Sequence, residues 1–120
     1  VVENTPKDKF KYAMGVGKPN DIKIVSELGY KVFDTVLVTR NARHGTLYSD
    51  DMKDGVLRIK NAEYVLDESP IDSTCDCYTC QHHSRAYVHH LIKVDEITGL
   101  VLATIHNLRY YQRIIETLNR

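Results

Sequence analysis

Neither sign of charge dominates this chain: sixteen Lys and Arg offset sixteen Asp and Glu, so no global basic field announces a nucleic-acid partner. The balance is uneven along the sequence. Residues 1–60 carry eleven basic and eight acidic side chains and residues 61–120 carry five and eight, so any RNA or DNA contact is expected to be local and in the first half. Apolar runs of membrane-spanning length are missing, and so is a signal-peptide pattern at the start; the expectation is a soluble, cytoplasmic protein with no membrane partner. Internal repeats and low-complexity segments are missing too. Cysteine is absent except in one place, where Cys75, Cys77 and Cys80 fall within six residues. An odd count so tightly packed cannot close a disulfide framework, and a reduced setting with thiolates available to a metal fits it better. At 120 residues the chain is long enough for one domain with a modest core.

What is present turns on Val32 to Arg43. Asp34 sits there inside an apolar, β-branched run that reads as a short buried strand, followed by a basic loop from Thr39 to Arg43. A charge in such a run is costly unless it is paired or used. It is either a catalytic Asp beside a nucleic-acid contact, or an Asp that ends a strand and pairs with Arg40 or Arg43.

In chain order, residues 1–9 form a polar, exposed lead-in, and Phe10 to Val16 alternates as a strand ending in a Gly-Val-Gly-Lys-Pro turn. Asn20 or Asp21 can cap a helix whose Ile22, Val25 and Leu28 share a face and which Gly29 stops. The strand Lys31 to Val38 then makes a βα unit with parallel strands. In a βα-barrel, carboxyl strand ends form the active site, and Met14, Gly15 and Asp34 can occupy such ends; for Met14 alone, core packing is the simpler reading. Gly45 to Ser49 and Val56 to Ile59 read as a hairpin turned at Asp54-Gly55. An irregular stretch over 61–74 leads to the cysteines, a helix follows from about Ser84 to Val94, a break falls near Thr98-Gly99, and a last helix runs to Asn119. That helix is expected to bury Val101, Ile105, Leu108, Tyr111, Ile115 and Leu118.

Zinc takes four ligands in a tetrahedron, and Cys-x-Cys-x-x-Cys presents three thiolates from one tight loop. The fourth can come from His82 or His83 nearby, His89 or His90 on the next helix, or His106 on the last. A ligand from the last helix would clip two distant elements together. With a histidine closing the shell no position stays open, which makes the site structural. A redox or incidental cysteine cluster is the competing reading.

Six segments in order, Met14-Gly15-Val16-Gly17, Phe33-Asp34, Thr39-Arg40-Asn41-Ala42-Arg43, Cys75-Asp76-Cys77-Tyr78-Thr79-Cys80, His82-His83-Ser84-Arg85-Ala86-Tyr87 and His106-Asn107-Leu108-Arg109-Tyr110-Tyr111, resemble the tRNA-guanine transglycosylases of the bacterial type, also called queuine tRNA-ribosyltransferases. The resemblance covers nearly the whole chain. It implies an α/β fold, the carboxyl-terminal part of a (β/α)8 barrel with its last two βα strands in residues 1–44 and an appended zinc-binding subdomain in 45–120.

By the same resemblance Asp34 is the nucleophile. It attacks the ribose of the wobble guanosine, and a 7-deazaguanine base, the queuosine precursor, then displaces the enzyme from the tRNA. Gly15, Val16, Gly17, Lys18, Pro19, Asn20 and Asp21 match one RNA-contacting segment, with Asn20 where an acidic residue is more usual. Thr39, Arg40, Asn41, Ala42 and Arg43 match the wobble-recognition segment, and Met14 flanks the bound base. Cys75, Cys77, Cys80 and His106 match the ligands of one structural zinc. Partners implied are the tRNA anticodon loop, guanine or the 7-deazaguanine base, and a second copy in a homodimer. Family members are much longer, and their general acid/base and most base-pocket residues lie in earlier barrel strands. The chain is therefore either part of a full enzyme or a short module that keeps RNA-contacting and zinc parts without the chemistry.

Overall fold

The computed structural model describes residues 2–120, so the expected polar lead-in, which begins on Val1, lies partly outside the described residues; Glu3, Asn4 and 6–9 are exposed. Strand β1 (Tyr12–Ala13) pairs in parallel with β2 (Val32–Phe33), and helix α1 (Pro19–Glu27) makes the crossover between them. The βα unit is thus as the turn signals require, though each strand is far shorter than its apolar run. Helix α1 opens on Pro19, whose fixed φ suits a first helical turn, but its cap position is Lys18 and not Asn20 or Asp21, and no side chain caps it. Of the face assigned to α1, Ile22 is buried, Val25 is half-buried and Leu28 is exposed.

Two expectations around Asp34 are corrected. Strand β2 ends at Phe33 and is not buried, Val32 being 41% exposed. The segment read as a basic loop is instead helix α2 (Leu37–Arg43). Thr35 precedes its cap residue Val36, and the Thr35 hydroxyl accepts the Leu37 amide at 3.1 Å. Val36, Val38 and Thr39 are weak helix formers, but Val38 and Ala42 bury one side of α2, and packing overrides propensity. Gly17 lies where a Cβ would overlap the Thr35 side chain, so the turn before α1 and the start of α2 can meet only through a glycine.

Strands β3 (Thr46–Tyr48) and β4 (Val56–Arg58) form the expected antiparallel hairpin, with Leu47 facing Leu57 in register. Two two-stranded sheets do not close a barrel. Helix α3 (Tyr78–His82) leaves the cysteine loop, and α4 (Arg85–Lys93) follows with Ser84 accepting the Tyr87 amide as its cap. The last helix, α5 (Ile97–Leu118), runs on through Thr98 and Gly99, so the expected break lies earlier. It falls at Asp95, in the left-handed region at φ 57°, a conformation Asp tolerates better than most side chains. Gly99 lets α4 and α5 approach: a Cβ there would lie 2.8 Å from Leu91 Cβ.

Helix α5 contacts α1, α2, α3, α4 and β3. One core gathers Leu47, Leu57, Ile59, Ile71, Val88 and Ala103, and a second gathers Ile22, Val38, Tyr48, Tyr110, Tyr111 and Ile114. The buried face of α5 is therefore Leu102, Ala103, His106, Asn107, Tyr110, Tyr111 and Ile114. From the expected stripe, Tyr111 is buried and Ile105, Ile115 and Leu118 are half-buried, while Val101 and Leu108 are 51% and 50% exposed. The helix is turned to aim two polar side chains, His106 and Asn107, at partners inside.

Candidate metal centre and rim carboxylate

Cys77 is the N-cap of α3, and its sulfur accepts the Cys80 amide at 3.3 Å, which folds both thiols to one side of the loop. Cys75 precedes them, and His106 comes across from α5. The four ligand atoms lie within 4.8 Å of one another. Cys77 Sγ and Cys80 Sγ stand 3.6 Å and 3.3 Å from His106 Nδ1. A tetrahedral zinc with ordinary Zn–S and Zn–N bonds separates sulfur and nitrogen ligands by about 3.6 Å, so the donor set fits the ion in chemistry and in spacing.

His106 is fully buried, and its Nε2–H donates to the Tyr48 carbonyl at 2.6 Å, which turns the Nδ1 lone pair to the sulfurs. The three thiols and the imidazole lie close enough to perturb one another's acidity. Hydrogen bonds from Cys77 and Cys80 hold the Cys75 thiol well below the ordinary thiol range, and the same sharing pushes Cys80 up. Burial lowers the His106 pKa, but hydrogen bonds to the thiols outweigh it and carry it to about 9. Cys75, Cys77, Cys80 and His106 form a Cys3His site for one structural Zn²⁺, closed by four protein ligands.

The other histidines serve elsewhere. His82 packs tilted against Tyr78, His83 stacks on Tyr87, His89 donates to the Ile59 carbonyl at 2.6 Å, and His90 is exposed. Two supporting residues escaped the sequence reading. Fully buried Asn107 accepts the Tyr48 amide and donates to the carbonyls of Val38 and Thr46, and Thr79 donates to the Leu102 carbonyl. Asn107 fixes the same Tyr48 whose carbonyl orients His106. A polar residue on the wrong side of the apolar stripe was its only signal.

The second group of predicted residues lies at the carboxyl ends of β1 and β2. Asp34 is exposed, and its Oδ1 accepts the Tyr12 hydroxyl at 2.6 Å and the Gly15 amide at 3.3 Å. That bond holds the Tyr12 phenol above its ordinary pKa. Tyr12, in the strand beside Asp34, is a further contact that sequence reasoning missed. Met14 is 77% exposed on the same rim. Arg40 and Arg43 are exposed in the last turn of α2, and among the described residues neither makes an ion pair, with Asp34 or otherwise. Thr39 and Asn41 are half-buried, Asn41 donating to the Tyr48 hydroxyl, and Ala42 is buried in the core. Of 15–21, Gly17 is buried, Val16 and Pro19 are half-buried, and Gly15, Lys18, Asn20 and Asp21 are exposed.

A parallel βα unit with a Cys3His-clipped helical segment behind it defines a zinc-binding α/β protein. Within that class the chain belongs to the TGT family, queuine tRNA-ribosyltransferase, whose profile matches residues 1–120. It is 52% identical over 115 residues to the queuine tRNA-ribosyltransferase of Blochmanniella pennsylvanica (strain BPEN), covering 96% of this chain and 30% of that protein. It is 50% identical over 115 residues to the queuine tRNA-ribosyltransferase of Vibrio campbellii (strain ATCC BAA-1116), with the same coverage of 96% and 30%. The chain thus spans under a third of the length of the curated relatives it matches.

Proposed function

We propose that this chain is the zinc-structured, tRNA-contacting part of a tRNA-guanine transglycosylase, binding RNA by itself and taking part in base exchange only with the remaining barrel strands. The observation that carries this is the pair Arg40 and Arg43. They stand three residues apart on one face of α2, exposed and free of ion pairs among the described residues, close in sequence to the rim carboxylate. Cations left unpaired in a chain of zero net charge suit phosphate contact. Thr39 to Arg43 and Gly15 to Asp21 then flank the anticodon loop, and residues 1–44 carry the last barrel strands while 45–120 carry the zinc part.

In the completed enzyme Asp34 is the nucleophile, a second reading favoured by its place on the rim. A bond forms from its carboxylate oxygen to ribose C1′ as the glycosidic bond to guanine breaks, the departing base keeping the electron pair and taking a proton from an acid outside this chain. A 7-deazaguanine base attacks C1′ in turn, losing its N9 proton to a base outside this chain as the bond from C1′ to the Asp34 oxygen breaks, which restores the carboxylate with retention. Tyr12 and the Gly15 amide hold the oxygen in place, and Met14 flanks the base. The enzyme is expected to be a cytoplasmic homodimer.

Binding of an anticodon stem-loop tests the first reading. Affinity should fall with salt, and Arg40→Ala/Arg43→Ala should weaken it and reduce the salt slope by about two. An unchanged slope in the double variant rejects the RNA-binding role. For the second reading, Asp34→Asn in a full-length enzyme should abolish the covalent RNA adduct on a denaturing gel.

A further inference from the structure

Helix α5 contributes more than His106 to the metal centre. Arg109 and Arg113 lie one and two turns beyond that ligand, along the same side of the helix. Arg109 grips Asp76 with two parallel bonds, Nε to Oδ1 at 2.7 Å and Nη2 to Oδ2 at 2.9 Å, and its remaining nitrogen reaches Glu116 at 3.0 Å. Arg113 donates through Nη2 to the Thr74 hydroxyl at 2.9 Å and places Nη1 3.7 Å from fully buried Asp72. Thr74 and Asp76 are the two residues that flank Cys75. The third thiolate is therefore held from both sides by α5, whereas Cys77 and Cys80 are held by the start of α3.

Charge points the same way. Three thiolates, Asp72 and Asp76 crowd a stretch of nine residues, and the two guanidinium groups are the cations that face it from α5. The buried Nη1 of Arg113 has no hydrogen-bond partner, and Asp72 faces it at 3.7 Å. A buried guanidinium donor is costly to leave without an acceptor, so Arg113 is held to the acidic loop that carries Cys75.

We infer that Arg109 and Arg113 are positioning residues for the zinc site, holding Cys75 at its ligand position through Asp76 and Thr74. The inference rests on the Cys3His centre and is independent of the RNA chemistry proposed above. Partners of this kind around metal ligands are worth about 10–100-fold in affinity. The fork of Arg109 is what a lysine cannot reproduce.

The test is competition for Zn²⁺ between the chain and a chromophoric chelator, together with the visible spectrum of the Co²⁺-loaded protein. Arg109→Gln and Arg113→Gln should each weaken zinc binding about tenfold, and Arg109→Lys should fail to rescue. Asp76→Asn should reproduce the Arg109→Gln loss, and combining the two should add nothing. The cobalt spectrum should change in these variants and stay unchanged in Arg120→Gln, which a loss of global stability alone would not produce. Zinc affinities within twofold of the parent in both Gln variants, or additive losses in the Arg109–Asp76 pair, would overturn the inference. Asp76→Asn and Arg109→Lys keep it testable should an Arg→Gln variant fail to fold.

Discussion

At the scale of single residues, buried polar side chains carry most of the specificity. Asn107 satisfies one backbone amide and two carbonyls, two of these groups in β3 and the third in α2. Asn107→Ala leaves those groups without partners and is expected to cost about 2–4 kcal/mol, measured by urea unfolding. Arg85 is similarly placed between Asp51 at 3.3 Å and Asp67 at 3.1 Å. For Asp67, burial raises the pKa, but bonds from Ser69 and Arg85 outweigh it and hold it below the usual carboxylate range. A depressed folded value means that this stabilisation is full above the unfolded value near pH 4 and is lost as pH falls through the folded one. Asp67→Asn should therefore lower stability by about 1–3 kcal/mol at pH 7 and flatten its acid limb. An acid limb as steep as the parent's in urea titrations from pH 3 to 7 would refute the assignment.

At the scale of elements, the zinc site ties the loop before α3 to the middle of α5. Metal binding of this kind is coupled to folding, and it releases protons from thiols. Removing zinc with a chelator should lower the thermal midpoint and make all three cysteines reactive to a thiol reagent, and zinc affinity should fall as pH falls. A melting curve indifferent to chelation would show that the core alone holds these elements. The α2 helix shows the reverse dependence. Val38 and Thr39 are weak helix formers, and burial of Val38 and Ala42 against the rest offsets that preference.

At the scale of the whole molecule, the Cα radius of gyration of 16.1 Å exceeds the roughly 14 Å of a compact chain of this length, and the long axis is 52 Å against 25 and 22 Å. Apolar side chains are exposed around the parallel pair, Phe10 at 74%, Met14 at 77% and Val36 at 64% among them, and both strands have free edges. Such surface invites association. The isolated chain is expected to self-associate in sedimentation runs at rising concentration, and Phe10→Lys/Met14→Lys should reduce it. Strict monomer behaviour at all concentrations would rule this out. No helix among the described residues is long and apolar enough to cross a membrane.

By itself the sequence determined what depends on neighbours along the chain. Cysteine spacing specified three ligands of a metal loop, turn residues placed the βα crossover and the Asp54-Gly55 hairpin, and the ordered motifs marked the family. Tertiary structure decided which histidine completes the site, which side of α5 is buried, that Thr39 to Arg43 is helical, and that Asp34 is held by Tyr12 and Gly15 and not by an arginine. The reason is physical. Periodicity reports that a face is apolar, but the rotation of a helix is set by groups that converge from distant positions. Here a metal ligand and a buried amide outweigh two leucine-sized side chains left at the surface.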